Sequence, residues 1–264
     1  MRIVILPLST ARRMIVTQRT VPHAIRTRLD DKIATRIHVM WTSWERSSTW
    51  WKLKVTRFGN RVLANTPYEE WCLKTVPFAP AGLFPGDRRW GRKKEGQQLV
   101  ENVPVVFPTG IVKESEAAGL VAAFARDKAP YHLKFMLLSL LGSPFTLPLA
   151  LLPVIPNIPG MYMLYRAWSH WKAYEGCQLL IRIVKEQKFV LEPSKDLQVL
   201  YESEPPMTVA LPKGASEQMV LQDSQVATVT KILDADEIGS ELHKALHQVR
   251  SRIKEKAERE KAGS

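Results

Sequence analysis

The chain has 264 residues, 45% hydrophobic and 24% charged, with a net charge of +12. These fractions suit a folded protein, one large domain or two small ones, able to bury a real core. The excess charge lies in residues 1–100, which hold 19 Lys/Arg against 7 Asp/Glu, whereas residues 101–264 hold 19 of each. A basic half selects acidic partners, such as anionic lipid headgroups, nucleic acid or an acidic protein, or else serves only as a solvated face. Cys72 and Cys177 are far apart and form no CxxC, which excludes a disulfide framework and points to a reducing compartment. The first apolar run, IVILPLS, is too short for a secretory signal.

Arg2, Arg12, Arg13, Arg19, Arg26 and Arg28 all precede the first acid, Asp30. An Arg-rich, acid-free start is the composition of a mitochondrial targeting sequence. RIVILPLS and RMIVTQR are also β-branched, with STARR to turn the chain between them, so an uncleaved structural hairpin that also aids targeting is the favoured reading. Asp30 or Asp31 can then cap a long basic amphipathic helix from Asp31 to Asn65, interrupted at Gly59-Asn60 if anywhere. Its Trp41, Trp44, Trp50 and Trp51 suit core packing better than base stacking or headgroup anchoring.

PYEEWCLKT reads as a short helix opened by Pro67, and residues 77–98 as a loop with the basic tip GDRRWGRKKEG. Arg88, Arg89 and Arg92 on that tip are candidate headgroup contacts, with a solvated loop as the plainer reading. VPVVFP reads as one further strand and SEAAGLVAAFARDK as a helix capped by Ser115. Residues 189–222 are irregular with one or two short strands, and 224–261 are helical with a fresh start at Asp234 or Glu237.

Phe135 to Ile155 is a run of 21 residues without a charge. A bilayer core needs about 20 helical residues, so the length suffices for a span. Pro144, Pro148 and Pro153 break it, however, and unpaired backbone is costly in lipid. Splitting near Pro148 gives two legs, 135–147 and 149–165, each too short to cross alone. A re-entrant or interfacial hairpin is therefore favoured over a span or a soluble buried hairpin. The flanking aromatic–basic stretch supplies candidate lipid contacts in Tyr165, Arg166, Trp168, Trp171 and Lys172.

No catalytic or nucleotide-binding motif is present, and no enzyme activity or cofactor is expected. His243 and His247 share a helical face but lack a third zinc ligand. His132 and His170 flank the apolar run and read as structural or interfacial histidines. Between Asp127 and Glu175 there is no carboxylate to bind a cation and a proton in turn, so any ion site must draw on another segment.

MRIVILPLSTARRMIVTQR, WTSWERSSTWWKLKVTRFGNRVLANTPYEEWCLK and above all NIPGMYMLYRAWSHWKAYEGCQLL resemble the fungal family of mitochondrial K+-H+ exchange-related proteins. The resemblance runs to about residue 190, with an echo in DEIGSELHKALHQV, and marks Tyr165, Arg166, Trp168, Ser169 and His170 as signature positions. It implies the mitochondrial inner membrane and potassium–proton exchange, with this chain as accessory or subunit rather than a self-sufficient exchanger. The basic N-terminal region is then expected on the matrix side, and the expected partners are anionic lipid such as cardiolipin, inner-membrane proteins and further copies of the chain. A soluble matrix protein that binds RNA through its basic half is the alternative. The expected fold is α+β and mostly helical: an N-terminal β-hairpin plus one strand, a long basic helix, a Pro-rich apolar helical hairpin and a helical C-terminus. The domains are 1–190, which carries the resemblance, and 191–264.

Overall fold

A computed structural model describes residues 1–18, 36, 39–64, 66–77, 83–84, 101–151, 158–203 and 217–262. The residues form two compact units, Val21–Pro67 and the remainder, Met1–Thr20 with Tyr68–Ser264. The C-terminal helices share a core with the N-terminal strands.

In the larger unit, β1 (Arg2–Pro7) and β2 (Arg13–Gln18) are the expected hairpin, paired antiparallel from Arg2↔Gln18 to Pro7↔Arg13. β3 (Val103–Phe107) lies parallel to β1, and β4 (Phe189–Pro193) parallel to β3. The sheet order is β2-β1-β3-β4: β3 is the strand expected from VPVVFP, and β4 is a short strand within the 189–222 stretch where one or two were expected. β1 is interior and apolar on both faces, which explains its unbroken IVILPL.

The remaining helices are α1 (Trp50–Ala64) in the smaller unit, then α2 (Tyr68–Lys74), α3 (Glu114–Gly142), α4 (Ile158–Lys185), α5 (Lys195–Glu202), α6 (Val226–Leu233) and α7 (Glu237–Ala262). Ile3, Ile5 and Ile15 face a core with Ala117, Val121 and Ala125 of α3 and Ala173, Cys177 and Leu180 of α4. Val4, Leu6, Met14 and Val16 face the opposite way, onto α5, α6 and α7. Alternation along each strand thus builds a helix–sheet–helix sandwich, an α+β, mostly helical fold. α2 bridges the layers, with Leu73 in the first core and Tyr68 and Cys72 in the second.

α3 and α4 form a helical hairpin of 29 and 28 residues, the crossover between parallel β3 and β4. α3 absorbs both the predicted helix 115–128 and the first apolar leg as far as Gly142, passing through Pro130. Its small buried residues at four-residue spacing, Ala117, Val121, Ala125 and Ala129, bring it close to α4 and outweigh the hydrogen bond lost at Pro130. Ser115 is no cap: the helix starts one residue earlier, after Lys113, without a side-chain cap bond. The hairpin break is longer than expected at Pro148, since a 3-10 segment, Ser143–Leu151, holds Pro148. α4 ends in a Schellman-type turn, with Gln187 at φ 53 and Lys188 N–H bonded to the Ile183 carbonyl at 2.9 Å. The fresh start near Asp234 is present, with Asp234 in the left-handed conformation after α6.

In the smaller unit the long helix is divided, but not at Gly59. Residues 39–45 are helical, then Ser47 Oγ accepts from Thr49 N–H at 3.2 Å and α1 begins at Trp50. Ser and Thr side chains compete for backbone donors in this way and end helices. Gly59 lies inside α1 because Trp41 rests on it, and a Cβ there would overlap the indole. None of the four tryptophans is buried: Trp44 meets the edge of Trp51 and Trp50 stands exposed. Asp30, Asp31, Arg88, Arg89, Arg92 and Pro153 lie outside the described residues.

Candidate functional site

The short helix α2 carries two adjacent glutamates, Glu69 and Glu70, 5% and 1% exposed. Acids in a first helical turn suit the positive end of the helix dipole, but burial this deep requires partners as well. Being neighbours, they point to different elements. Glu69 takes Arg252 Nη1 of α7 at 3.1 Å and Lys128 Nζ of α3 at 3.4 Å. Glu70 takes three donors from α4: Arg166 Nη1 at 2.8 Å, Arg166 Nη2 at 3.0 Å and Ser169 Oγ at 2.6 Å.

The network continues from Arg166. Its Nη2 lies 2.9 Å from His170 Nε2, and His170 Nδ1 lies 3.0 Å from His132 Nδ1 on α3. A guanidinium only donates, so His170 Nε2 accepts. His170 then carries its proton on Nδ1 and donates it to His132 Nδ1, which leaves the His132 proton on Nε2. Carboxylate, guanidinium and two neutral imidazoles thus form one connected chain, Glu70–Arg166–His170–His132, in which Arg166 donates to both of its neighbours, and it joins three elements.

The electrostatics agree with those tautomers. Burial, then the neighbouring His170, pushes His132 down to about 4, and burial, then Arg166, pushes His170 down to about 4. Burial alone would raise Glu70, but Arg166 and Ser169 bind its charged form and hold it below the usual carboxylate range. Glu69 is likewise held low against burial, chiefly by Lys128.

The network stands at one level of the helical hairpin. On the sheet side, Ala129, Ala173 and Cys177 are buried. On the other side, Leu137, Leu138, Leu140, Leu141 and Phe145 are 45%, 51%, 52%, 67% and 85% exposed, and on α4 Met161, Tyr162 and Leu164 are 43%, 42% and 54% exposed. No charged residue lies between Lys134 and Arg166. An apolar prong therefore projects from the body with a buried polar network at its base. A Cβ on Gly142 would meet the Met163 methyl, so the legs stay together toward the tip.

An aromatic–basic collar, drawn from α4 and Lys74 of α2, flanks that base. Lys74 Nζ lies 5.5 Å from the Tyr165 ring and 5.9 Å from Trp168, and Lys172 Nζ lies 6.0 Å from Trp168 and 5.6 Å from Trp171. The tryptophans and Tyr165 are half-buried. Such rings with cations at the edge of an apolar surface match what a lipid–water boundary favours.

The sequence-predicted residues thus divide. Tyr165, Trp168, Trp171 and Lys172 form the collar, and Ser169 and His170 face inward on the network. Arg166, expected beside headgroups, has both Nη atoms on Glu70, so its charge is answered within the fold. Pro144 and Pro148 stand exposed in the 3-10 turn. Sequence reasoning missed Glu69 and Glu70. Their signal was an acidic pair set in the short helix YEEWCLK, beside Tyr68, Trp71, Cys72 and Leu73. Among the described residues no group of three or more His, Cys, Asp or Glu could hold a metal ion. No helix among them is long and apolar enough to cross a membrane, which removes the spanning reading for these helices.

The fold and site define a three-layer α+β protein with an apolar helical prong above a buried acid–base network. Residues 2–184 match the family described as mitochondrial K+-H+ exchange-related, and the chain belongs to that family. An uncharacterized protein of Schizosaccharomyces pombe is 31% identical over 200 residues, covering 75% of this chain and 81% of its own. An uncharacterized protein of Saccharomyces cerevisiae is 28% identical over 230 residues, covering 79% of this chain and 71% of its own. No solved structure matches. The match takes in β1, β2, α2, α3 and nearly all of α4, and therefore both the prong and its polar base.

Proposed function

We propose that this protein sits on the mitochondrial inner membrane with its prong inserted into one leaflet, and serves potassium–proton exchange as an accessory or subunit. The observation that carries this reading is the exposed apolar surface on both legs beyond His132 and Tyr165. The eight helical residues from Phe135 to Gly142, which carry no charge, extend about 12 Å, under half of a ~30 Å hydrocarbon core. A prong of that reach anchors in one leaflet and offers no polar route through both, so ion movement requires further inner-membrane proteins or further copies of the chain. The collar of Lys74, Tyr165, Trp168, Trp171 and Lys172 is then level with the headgroups and contacts anionic lipid such as cardiolipin. The basic excess of residues 1–100 favours the matrix side. Family membership supports the link to exchange.

Alkaline-carbonate extraction of isolated mitochondria tests the membrane claim. Retention in the pellet is expected. Complete release would contradict it, and release together with salt-sensitive retention on RNA would favour an RNA-binding protein instead. Reconstitution into liposomes with a potassium-driven pH readout tests the role: no flux from inserted protein is expected, and flux from this chain alone would contradict the accessory role.

A further inference from the structure

The His132–His170 contact joins the two legs where they leave the body, and it has room for no further proton as it stands. The pair carries two ring lone pairs within the network, on His132 Nδ1 and on His170 Nε2, and each already accepts a hydrogen bond. A proton added to His132 Nδ1 sets two N–H groups face to face across 3.0 Å. A proton added to His170 Nε2 faces the Arg166 Nη2 donor across 2.9 Å. Either way one bond of the chain is lost and two donors are forced together.

The surroundings reinforce this. From α2, Glu70 and Lys74 face His170; from α3, Lys128 and Tyr131 lie beside His132; from α4, Arg166 faces both. Among the described residues Glu70 is the one acid near the pair, and it already receives Arg166 and Ser169. Glu69, next along α2, is held by Lys128 and Arg252. A protonated imidazole must therefore compete with Arg166 and Ser169 for Glu70 in the closed arrangement.

We propose that His132 and His170 form a single proton-binding site, and that its occupation separates α3 from α4 at the base of the prong. The ligand is one proton per molecule, taken from water onto either acceptor nitrogen. Once the legs part, both rings regain water and their ordinary affinity, so a falling pH favours the open base by mass action. An anionic membrane surface concentrates protons beside it. The consequence for insertion rests on the membrane reading above, whereas the titration and the opening do not.

Nitrogen-15 NMR of the histidine rings of the full chain in solution, followed from neutral pH downward, tests the site, with H132Q and H170Q used to assign the two rings. The expected result is a coupled titration of His132 and His170, with one proton bound and the midpoint shifted well below the ordinary 6.5, toward about 4. Amide exchange, corrected for intrinsic rate, should rise across residues 128–142 and 162–170 over the same pH range. The H132Q/H170Q double variant tests the cause, because a glutamine at each position can accept from Arg166 and bridge the two legs but takes up no proton. It should keep the base closed across that range. Independent titration of the two rings near 6.5, or unchanged exchange at the base through the titration, would overturn the proposal. Flotation of the same protein with vesicles near neutral pH separates the two readings. Failure to float with the coupled titration intact removes the membrane reading and leaves the proton site. Flotation without coupled titration does the reverse.

Discussion

Arg166 and Glu70 lie 96 positions apart in sequence and meet as a bidentate ion pair, at 2.8 and 3.0 Å, between α4 and α2. The pair fixes the root of the prong to the helix that bridges both layers of the core. The carboxylate that the apolar segment lacks is supplied there by a distant segment, and it carries a tethered cation.

Removing Arg166 leaves Glu70, with its side chain 2% exposed, as an uncompensated buried charge. R166A is therefore expected to lose about 3–5 kcal/mol of folding stability. R166K should fall between wild type and R166A, because an ammonium cannot reproduce the two-pronged contact. Urea denaturation of the purified proteins measures this. A midpoint for R166A equal to that of wild type would show that the pair contributes nothing to the fold.

Two glycines of the helical hairpin make opposite predictions. A Cβ on Gly176 would overlap the backbone carbonyl oxygen of Leu73, where α4 presses on the end of α2. G176A should cost about 1–3 kcal/mol, as overpacking does. A Cβ on Gly142 meets only the flexible end of Met163, so G142A should be neutral or slightly stabilising. Equal thermal midpoints for the two variants would contradict the close approach of α4 to α2.

Acid should weaken the folded state in a defined direction. His132 and His170 bind protons less readily folded, at about 4, than at their ordinary 6.5, so the unfolded chain holds more protons between those values. Their contribution is whole above 6.5 and is lost as the pH falls toward 4. Glu69 and Glu70, also held low, add loss in the same direction below their ordinary 4.5. Denaturation at a series of pH values should show stability declining from about neutral, before ordinary carboxylates titrate. The H132Q/H170Q double variant should lack that first decline. A flat profile for wild type down to pH 4.5 would argue against neutral buried histidines.

Both thiols are buried, and burial pushes the Cys177 thiol up to about 12 and Cys72 up as well. Neither should react with a thiol reagent in the native protein, and both should react after unfolding. Rapid native labelling of Cys177, which lies in the hairpin–sheet core, would contradict the packing of α4 on the sheet.

The elements were legible where local pattern dominates. β1 and β2 follow from β-branched runs around a turn, and α7 opens at Glu237, one of the two positions expected to restart the helix. The prong was legible from its uncharged length and its prolines. The network at its base was not, because it is assembled by tertiary contact: Glu70, His132 and Arg166 come from three separated segments. Periodicity reports which face of one element is apolar, and it is silent on which acid meets which base. The same limit explains why α3 passes through Pro130, since the alanines that hold it need α4 to pack against.

The central claim is that the prong enters a bilayer, and flotation of the purified protein with vesicles containing cardiolipin tests it most directly. Wild type is expected to rise with the vesicles and to stay with them at high salt. A variant with L141D and F145D, two residues exposed at the end of the prong, should remain folded by circular dichroism and stay at the bottom of the gradient. Equal flotation of the folded variant and wild type would show that the prong is not the membrane contact.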